Sequence, residues 1–300
     1  MHLLCINASN VVAGTNNTRY LYKFPSSATF DKYSSIALVS CNMYFSWFNI
    51  TAAYNNNKFS YTWIEGTVVQ LTIPDGYYSV DTLNAYLQSE MYSRSHYLLD
   101  STGKVVYLIS IAENASLYAI QLYLSRCPTS TEVGIASTSI YKGYKGPDGT
   151  TTIFTNIGTR RPSLTISSTN TFRDIIGFSA KTYSSTATID TVSFTSDYTP
   201  QVSPVSSIVM TCSLCNQPFS RPNNVLYSFG TTNVDFGYGI NISPSQLMFV
   251  PINAGNTNEF YVEFRDQDFG NMYIRDSQLV IMLAIKTKED IMLENGIIQQ

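Results

Sequence analysis

The chain has 300 residues, with 18 Lys and Arg against 21 Asp and Glu, a formal net charge of −3, 44% hydrophobic residues, and 13% charged residues matched by 13% aromatic ones. That balance excludes a nucleic-acid binder working by phosphate neutralisation, which needs a basic excess, and a disordered chain, which needs low hydrophobicity and high net charge. The shortage of Lys and Glu argues against long helices, whereas 22 Tyr and 16 Phe favour half-buried pleated surfaces and predict an all-β protein.

Met1–Asn7 has no basic region, and its apolar stretch is too short for a signal peptide. No run reaches the roughly 18 apolar residues of a spanning helix. Five cysteines, Cys5, Cys41, Cys127, Cys212 and Cys215, make an odd, scattered set, so the expectation is a protein made in a reducing compartment without a disulfide framework. Residues 1–34 are rich in Asn, Ser and Thr and read as an N-terminal arm or lead-in, with a short strand at Tyr20–Tyr22. From Ile36 to Trp47 apolar groups occupy both faces of an extended segment, the pattern of a strand inside a sandwich. Phe59, Tyr61 and Trp63 then alternate with Ser60, Thr62 and Ile64. Gly66 breaks the run, and Val68 to Ile73 completes a hairpin.

Pro74-Asp75-Gly76 signals a turn. Ser79 as cap, Asp81 in the first turn and Val80, Leu83, Leu87 and Met91 at helical spacing predict a helix ending near Arg94, packed on or capping a sheet. Strands are expected at Tyr97–Leu99, Val105–Ile111 and Tyr118–Leu124. Residues 126–161 lack periodicity and read as long loops. Ser163–Ile166 is a short strand, and Thr171-Phe172-Arg173-Asp174 looks like a capping box opening a brief helical turn that Gly177 ends. Further strands are predicted at Thr186–Phe194, Val205–Leu214, Val225–Phe229, Gln246–Ile252, Glu259–Arg265 and Gln278–Lys286, before a tail or short terminal helix over 287–300. A dozen short strands with turns every 8–12 residues and one substantial helix indicate a sandwich or barrel.

Candidate chemistry is sparse. His2 and His96 are the only histidines, too few for a cupin-like metal site. His96 reads as a solvated residue after the helix. Cys212-Ser213-Leu214-Cys215 is the one CxxC; it has no second pair for zinc and closes a strand rather than opening a helix, so packing thiols are expected. Glu259 and Glu263 share a strand face, followed by Asp266, Asp268 and Asn271. A glycosidase pair and a calcium loop are conceivable there, but a solvated face and polar turn are the expected reading. No phosphate-cradling glycine motif is present. The expectation is no enzyme, with no catalytic, cofactor-binding or metal residues and no cofactor.

Several strings resemble one family in order and spacing: Leu38-Val39-Ser40-Cys41-Asn42-Met43-Tyr44-Phe45-Ser46-Trp47, Leu71-Thr72-Ile73-Pro74-Asp75-Gly76-Tyr77-Tyr78-Ser79-Val80, Asp174-Ile175-Ile176-Gly177-Phe178, Val225-Leu226-Tyr227-Ser228-Phe229, Val262-Glu263-Phe264-Arg265-Asp266 and Leu279-Val280-Ile281-Met282-Leu283. Together, from about Ile36 to Lys286, the chain resembles the penton (minor capsid, vertex) proteins of virophages, Polintons and polinton-like viruses. The resemblance implies a single jelly roll, an eight-stranded antiparallel β-sandwich with an insertion or long loops and one short helix. It places that jelly roll at 35–287, with the insertion or elaborated loops at about 93–161 and a C-terminal tail at 288–300. It further implies homopentamers at the five-fold vertices of an icosahedral capsid, contacts with the double-jelly-roll major capsid protein and other minor capsid proteins, no specific nucleic acid, no membrane span, and a virion location after assembly inside a host cell. Residues 1–34 or 288–300 would then act as arms that order on assembly. The alternative from the residues is a carbohydrate- or receptor-binding sandwich whose Tyr141-Lys142-Gly143-Tyr144-Lys145 loop stacks on sugars.

Overall fold

The computed structural model describes residues 1–157, 160–231 and 234–294. It contains, in chain order, strands β1 (His2–Asn7), β2 (Arg19–Phe30), β3 (Ser35–Tyr44), β4 (Lys58–Thr62) and β5 (Val68–Thr72), helix α1 (Val80–Ser93), then β6 (Leu98–Leu99), β7 (Val105–Val106), β8 (Ile109–Asn114) and β9 (Ala119–Ser125). Helices α2 (Ser130–Val133) and α3 (Thr152–Ile157), strand β10 (Ser163–Thr165), α4 (Phe172–Ile176), β11 (Thr182–Tyr183) and β12 (Thr191–Thr195) follow. The last group is β13 (Ser207–Cys212), β14 (Val225–Gly230), β15 (Gly239–Ile242), β16 (Val250–Pro251), β17 (Gly255–Asp266), β18 (Val280–Lys286) and α5 (Lys288–Glu294). The chain divides into two compact units, one of Met1–Trp47 with Val205–Gln300 and one of Phe48–Pro204.

In the first unit one sheet runs β1-β18-β3-β15, with β16 also on β3, and the other runs β14-β13-β17-β2. All these pairs are antiparallel. Lettered B to I in chain order, β1, β2, β3, β13, β14, β15, β17 and β18 give the orders B-I-D-G and C-H-E-F. Those two four-stranded orders are the double Greek key of a jelly roll, so the expected fold stands. Sequence alternation sets the facing. On β17, Phe260, Val262 and Phe264 are buried, while Glu259 lies exposed and Tyr261 and Glu263 half-exposed between them. From the other sheet Leu4, Ile6, Ile36, Ile281 and Leu283 are buried. A register shift at Met282/Leu283 lets both Leu38 and Leu283 stay in the pairing.

Residues 1–34 are not an arm. β1 pairs along its whole length with β18, and β2 pairs with β17 over most of twelve residues. Two features hide this in the sequence. Both are edge strands, so one face and one backbone edge tolerate polar residues. The Asn residues that suggest a loop make local caps: Asn7 Oδ1 accepts from the Ser9 N–H at 2.9 Å, and Asn10 Oδ1 from the Asn7 N–H at 3.0 Å. Pro25 falls where the β2–β17 register shifts, a position that needs no ladder donor.

The second unit holds sheets β11-β10-β4-β5 and β12-β9-β8 and the small hairpin β6-β7. α1 keeps its predicted limits. Ser79 Oγ accepts from the Thr82 N–H at 3.2 Å, and Val80, Leu83, Leu87 and Met91 are its buried residues. It packs on β8, where the Ile111 N–H donates to Asn84 Oδ1 at 2.9 Å. Phe59 stacks on Phe172 with ring centroids 4.8 Å apart, tying the β4–β5 hairpin to α4. The Thr171 hydroxyl donates to the Tyr54 carbonyl at 3.1 Å and does not cap α4, so the expected capping box is not formed, whereas Gly177 does end the helix in left-handed backbone (φ 73°).

The surplus over a jelly roll is therefore larger than the expected 93–161 and begins earlier. It is the whole segment Phe48–Pro204, which enters after the third strand of the first unit and leaves before the fourth. The hairpin β4–β5 and α1, expected within the sandwich, belong to it. Their periodicity is as regular as that of the sandwich strands, so only the pairing reveals the boundary. Helices α2 and α3 fall in the stretch read as long loops, α4 is the expected helical turn, and α5 opens the terminal segment read as a tail or short helix, of which residues 295–300 lie outside the described residues.

Candidate assembly surface

The residues singled out for chemistry are spent on structure. Glu263 Oε1 lies 2.9 Å from Arg265 Nη2, and Glu259 Oε2 4.0 Å from Lys23 Nζ across the β2–β17 register. Arg19 stands over the Tyr261 ring, 3.9 Å from its centroid. On this outer face Glu259 and Glu263 each have a cationic partner. Asp266 Oδ1 accepts the N–H groups of Asp268 at 2.9 Å and Gly270 at 2.6 Å, so it shapes a turn instead of a calcium loop. Among the described residues no three His, Cys, Asp or Glu side chains gather as a metal site. The Tyr141 and Tyr144 rings pack against the core of the second unit and meet edge to face at 5.4 Å, with the Arg126 guanidinium 5.2 Å over Tyr141. Both residues are half-buried.

His96 is 9% exposed, not solvated. Its ring lies parallel to the Trp63 indole at 5.0 Å, and its Nδ1 shares a 2.8 Å hydrogen bond with Tyr61 Oη. It lines a cavity of about 480 Å³ with Trp63, Glu65, Arg94 and Asp148. Burial, and then the Arg94 charge, hold its pKa below the ordinary value of 6.5. An unfolded His96 therefore takes up a proton before the folded one does. Stability is full above pH ~6.5 and is lost as pH falls from there toward the lower folded pKa. We expect the melting temperature to drop between pH 7 and 5.5 in the parent chain and less so in His96→Gln. Trp63 emission should report the same transition; equal drops in both proteins would contradict the assignment.

The outer face of the other sheet has a different character. At one level β1, β18, β3 and β15 place Asn7, Val280, Asn42 and Asn241 side by side, all exposed. On the next level Cys5, Met282 and Ser40 face outward. Leu3 and Tyr44 extend the patch, 57% and 43% exposed. A shallow groove of about 570 Å³ crosses it, walled by Asn7, Asn42, Tyr44, Gln278 and Asn241. These levels carry no charged side chain. Lys286, at the far end of β18, holds its ammonium 4.6 Å over the Phe249 ring. Depletion of charge, more than bulk hydrophobicity, distinguishes the centre of a protein–protein interface from ordinary surface. Sequence reading missed this patch because its residues come from four strands, one of them read as an arm and one, β15, not predicted at all. The pairing register is the signal that assembles it.

No protein-family model matches the chain, and no curated protein matches it. Among solved structures it is similar to a chain of the Sputnik virophage determined by cryo-EM, at 12% identity and a TM-score of 0.35 over 97% of this chain and 98% of that one. It is also similar to the mavirus penton protein, at 12% identity and a TM-score of 0.44 over 95% of this chain and 98% of that one.

Proposed function

We propose that the chain is a structural capsid protein that assembles as a homopentamer at the five-fold vertices of an icosahedral shell, beside a double-jelly-roll major capsid protein. The observation that carries this reading is a complete jelly roll whose two outer faces differ, one a ladder of paired charges and the other uncharged over its central levels. A ring of identical subunits is closed by heterologous contacts, in which one patch meets a different patch of the next copy. An uncharged face can be buried in such a contact without the desolvation penalty of ions. The resemblance of the sequence from Ile36 to Lys286 to virophage and Polinton pentons supports the same reading. The Phe48–Pro204 unit is then an elaboration inserted between the third and fourth strands of the roll. The role asks for assembly, not catalysis, and for a place in the virion. No helix among the described residues is long and apolar enough to cross a membrane.

Sedimentation velocity and native mass spectrometry, with and without the major capsid protein, test the reading. The parent chain should form pentamers in at least the second condition. Replacing Val280 and Asn42 together with Lys places two ammonium groups on the uncharged face and should weaken assembly by roughly 100-fold or more, with the melting temperature of the monomer unchanged. A parent chain that stays monomeric with the major capsid protein present would overturn the proposal. Unchanged assembly of the double variant would move the contact to another face.

A further inference from the structure

Cys212 ends β13, and Cys215 lies three residues on, bridged to Ile252. The Cys215 N–H donates to the Cys212 carbonyl at 3.0 Å, closing a β-turn over the four residues. Such a turn keeps its end Cα atoms within about 7 Å, a separation close to the span that a disulfide bridges. Both side chains are buried, and the Cys212 thiol is the neighbour that most raises the pKa of Cys215. The turn is also a junction. The Cys212 N–H donates to the Asn224 carbonyl at 2.8 Å, the Ser213 N–H to Tyr261 at 2.9 Å, the Asn216 N–H to Pro251 at 2.9 Å, and the Asn253 N–H to Leu214 at 2.9 Å. The ends of both sheets of the jelly roll thus bond to these few residues. The other thiols lack this arrangement: Cys41 and Cys127 are buried at separate places in the sequence, and Cys5 is exposed on β1.

We propose that Cys212 and Cys215 form a redox-sensitive latch, a dithiol in a reducing medium that closes to a disulfide in an oxidising one and fixes the junction between the two sheets. The oxidant is a small-molecule disulfide. One cysteine, as thiolate, attacks a sulfur of that disulfide and releases one small thiol. The second attacks the resulting mixed disulfide and releases the other. The protein gives up two electrons and two thiol protons, its S–S bond forms, and the small disulfide is reduced to two thiols. Its neighbour's thiol and burial both raise the pKa of Cys215, and an enclosed thiol meets an oxidant only during local opening, so closure takes hours. The latch belongs to the single chain and needs no assembly.

The test uses the full chain incubated with oxidised glutathione, then denatured, alkylated and digested. The peptide carrying Cys212 and Cys215 should be two hydrogens lighter than its dithiol form and resist alkylation, whereas the exposed Cys5 should be alkylated or carry glutathione. The oxidised protein should melt several degrees higher than the reduced one, and dithiothreitol should reverse the shift. Cys215→Ser and Cys212→Ser should each abolish it. Should either substitution prevent folding, peptide masses and the paired melts of the parent chain decide alone. Full alkylation of both cysteines after oxidation, or a disulfide that leaves the melt unchanged, would overturn the proposal.

Discussion

A chain beginning at Ser35 is expected not to fold its jelly roll. The deletion removes β1 and β2, the edge strands of opposite sheets, with the buried side chains Leu4, Ile6, Tyr20 and Phe30. At about 1.5–3 kcal/mol for each large apolar side chain taken out of water, the four account for roughly 6–12 kcal/mol as an upper estimate. That is comparable to the entire 5–15 kcal/mol by which a domain is stable. Further losses follow on the remaining strands. Ile281 and Leu283 of β18 lose their neighbours on β1, and Phe260 and Val262 lose Tyr22 and Tyr20. Phe260 also loses the Tyr22 ring at 5.3 Å and the Phe24 ring at 5.6 Å, and Phe264 the Tyr20 ring at 6.1 Å. Circular dichroism melts and soluble yield check this. A cooperative melt near the parent temperature from residues 35–300 would show that the first 34 residues are indeed a detachable arm.

The concealment of β1 and β2 in the sequence has a physical source. A strand is legible when one face is buried and the other wet, and when its apolar residues are dense enough to stand out from turns. β17, with Phe260, Val262 and Phe264 against Glu259 and Glu263, meets both conditions over the predicted Glu259–Arg265, whereas its polar start at Gly255 does not. β18 and β3 were legible because both faces carry apolar groups. β1 has two buried residues, Leu4 and Ile6, set among Asn and His, and β15 has four residues after a glycine-rich stretch. Such elements are strands because a neighbour supplies the ladder, which no local pattern records. α1 was legible for the opposite reason: cap, dipole complement and apolar stripe are all local, and all three are realised.

Candidate residues behaved in the same way. Glu259 and Glu263 share one face, as their spacing requires, but their partners come from β2 and from Arg265 two residues on, which the spacing does not reveal. His96 was placed after the helix, as observed, yet its burial depends on Trp63 and Tyr61 more than thirty residues away. The uncharged face is the extreme case. Asn7, Asn42, Asn241 and Val280 are separated by up to 273 positions along the chain and meet only through three strand pairings. Composition foreshadowed the surface without locating it: with 13% of residues charged, some face of the molecule had to go without.

Gly177→Ala is expected to destabilise the Phe48–Pro204 unit by upwards of about 3 kcal/mol, the range reached only when a substitution strikes a special backbone position or a packed wall. Gly177 ends α4 with φ 73°, where a Cβ costs roughly 1 kcal/mol on its own. The larger part is steric. The added methyl would overlap the Tyr198 carbonyl oxygen and stand 3.0 Å from the Pro200 nitrogen, both of them backbone atoms that no rotamer change can move aside. The segment cannot simply retreat, because the Tyr198 N–H donates to the Gly177 carbonyl at 3.1 Å, the Tyr198 hydroxyl to the Phe178 carbonyl at 3.1 Å, and the Gln201 N–H to the Asp174 carbonyl at 2.9 Å. Gly103 offers a matched control, since its φ is 86° but nothing lies within 4 Å of the added carbon. Gly103→Ala should therefore cost only the backbone share, about 1 kcal/mol, and lower the melting temperature by roughly 2–4 °C, against 6–12 °C for Gly177→Ala. Differential scanning calorimetry of the two variants separates strain from overlap; equal shifts would mean that the 196–201 segment yields freely, and that the hydrogen bonds holding it to α4 contribute little.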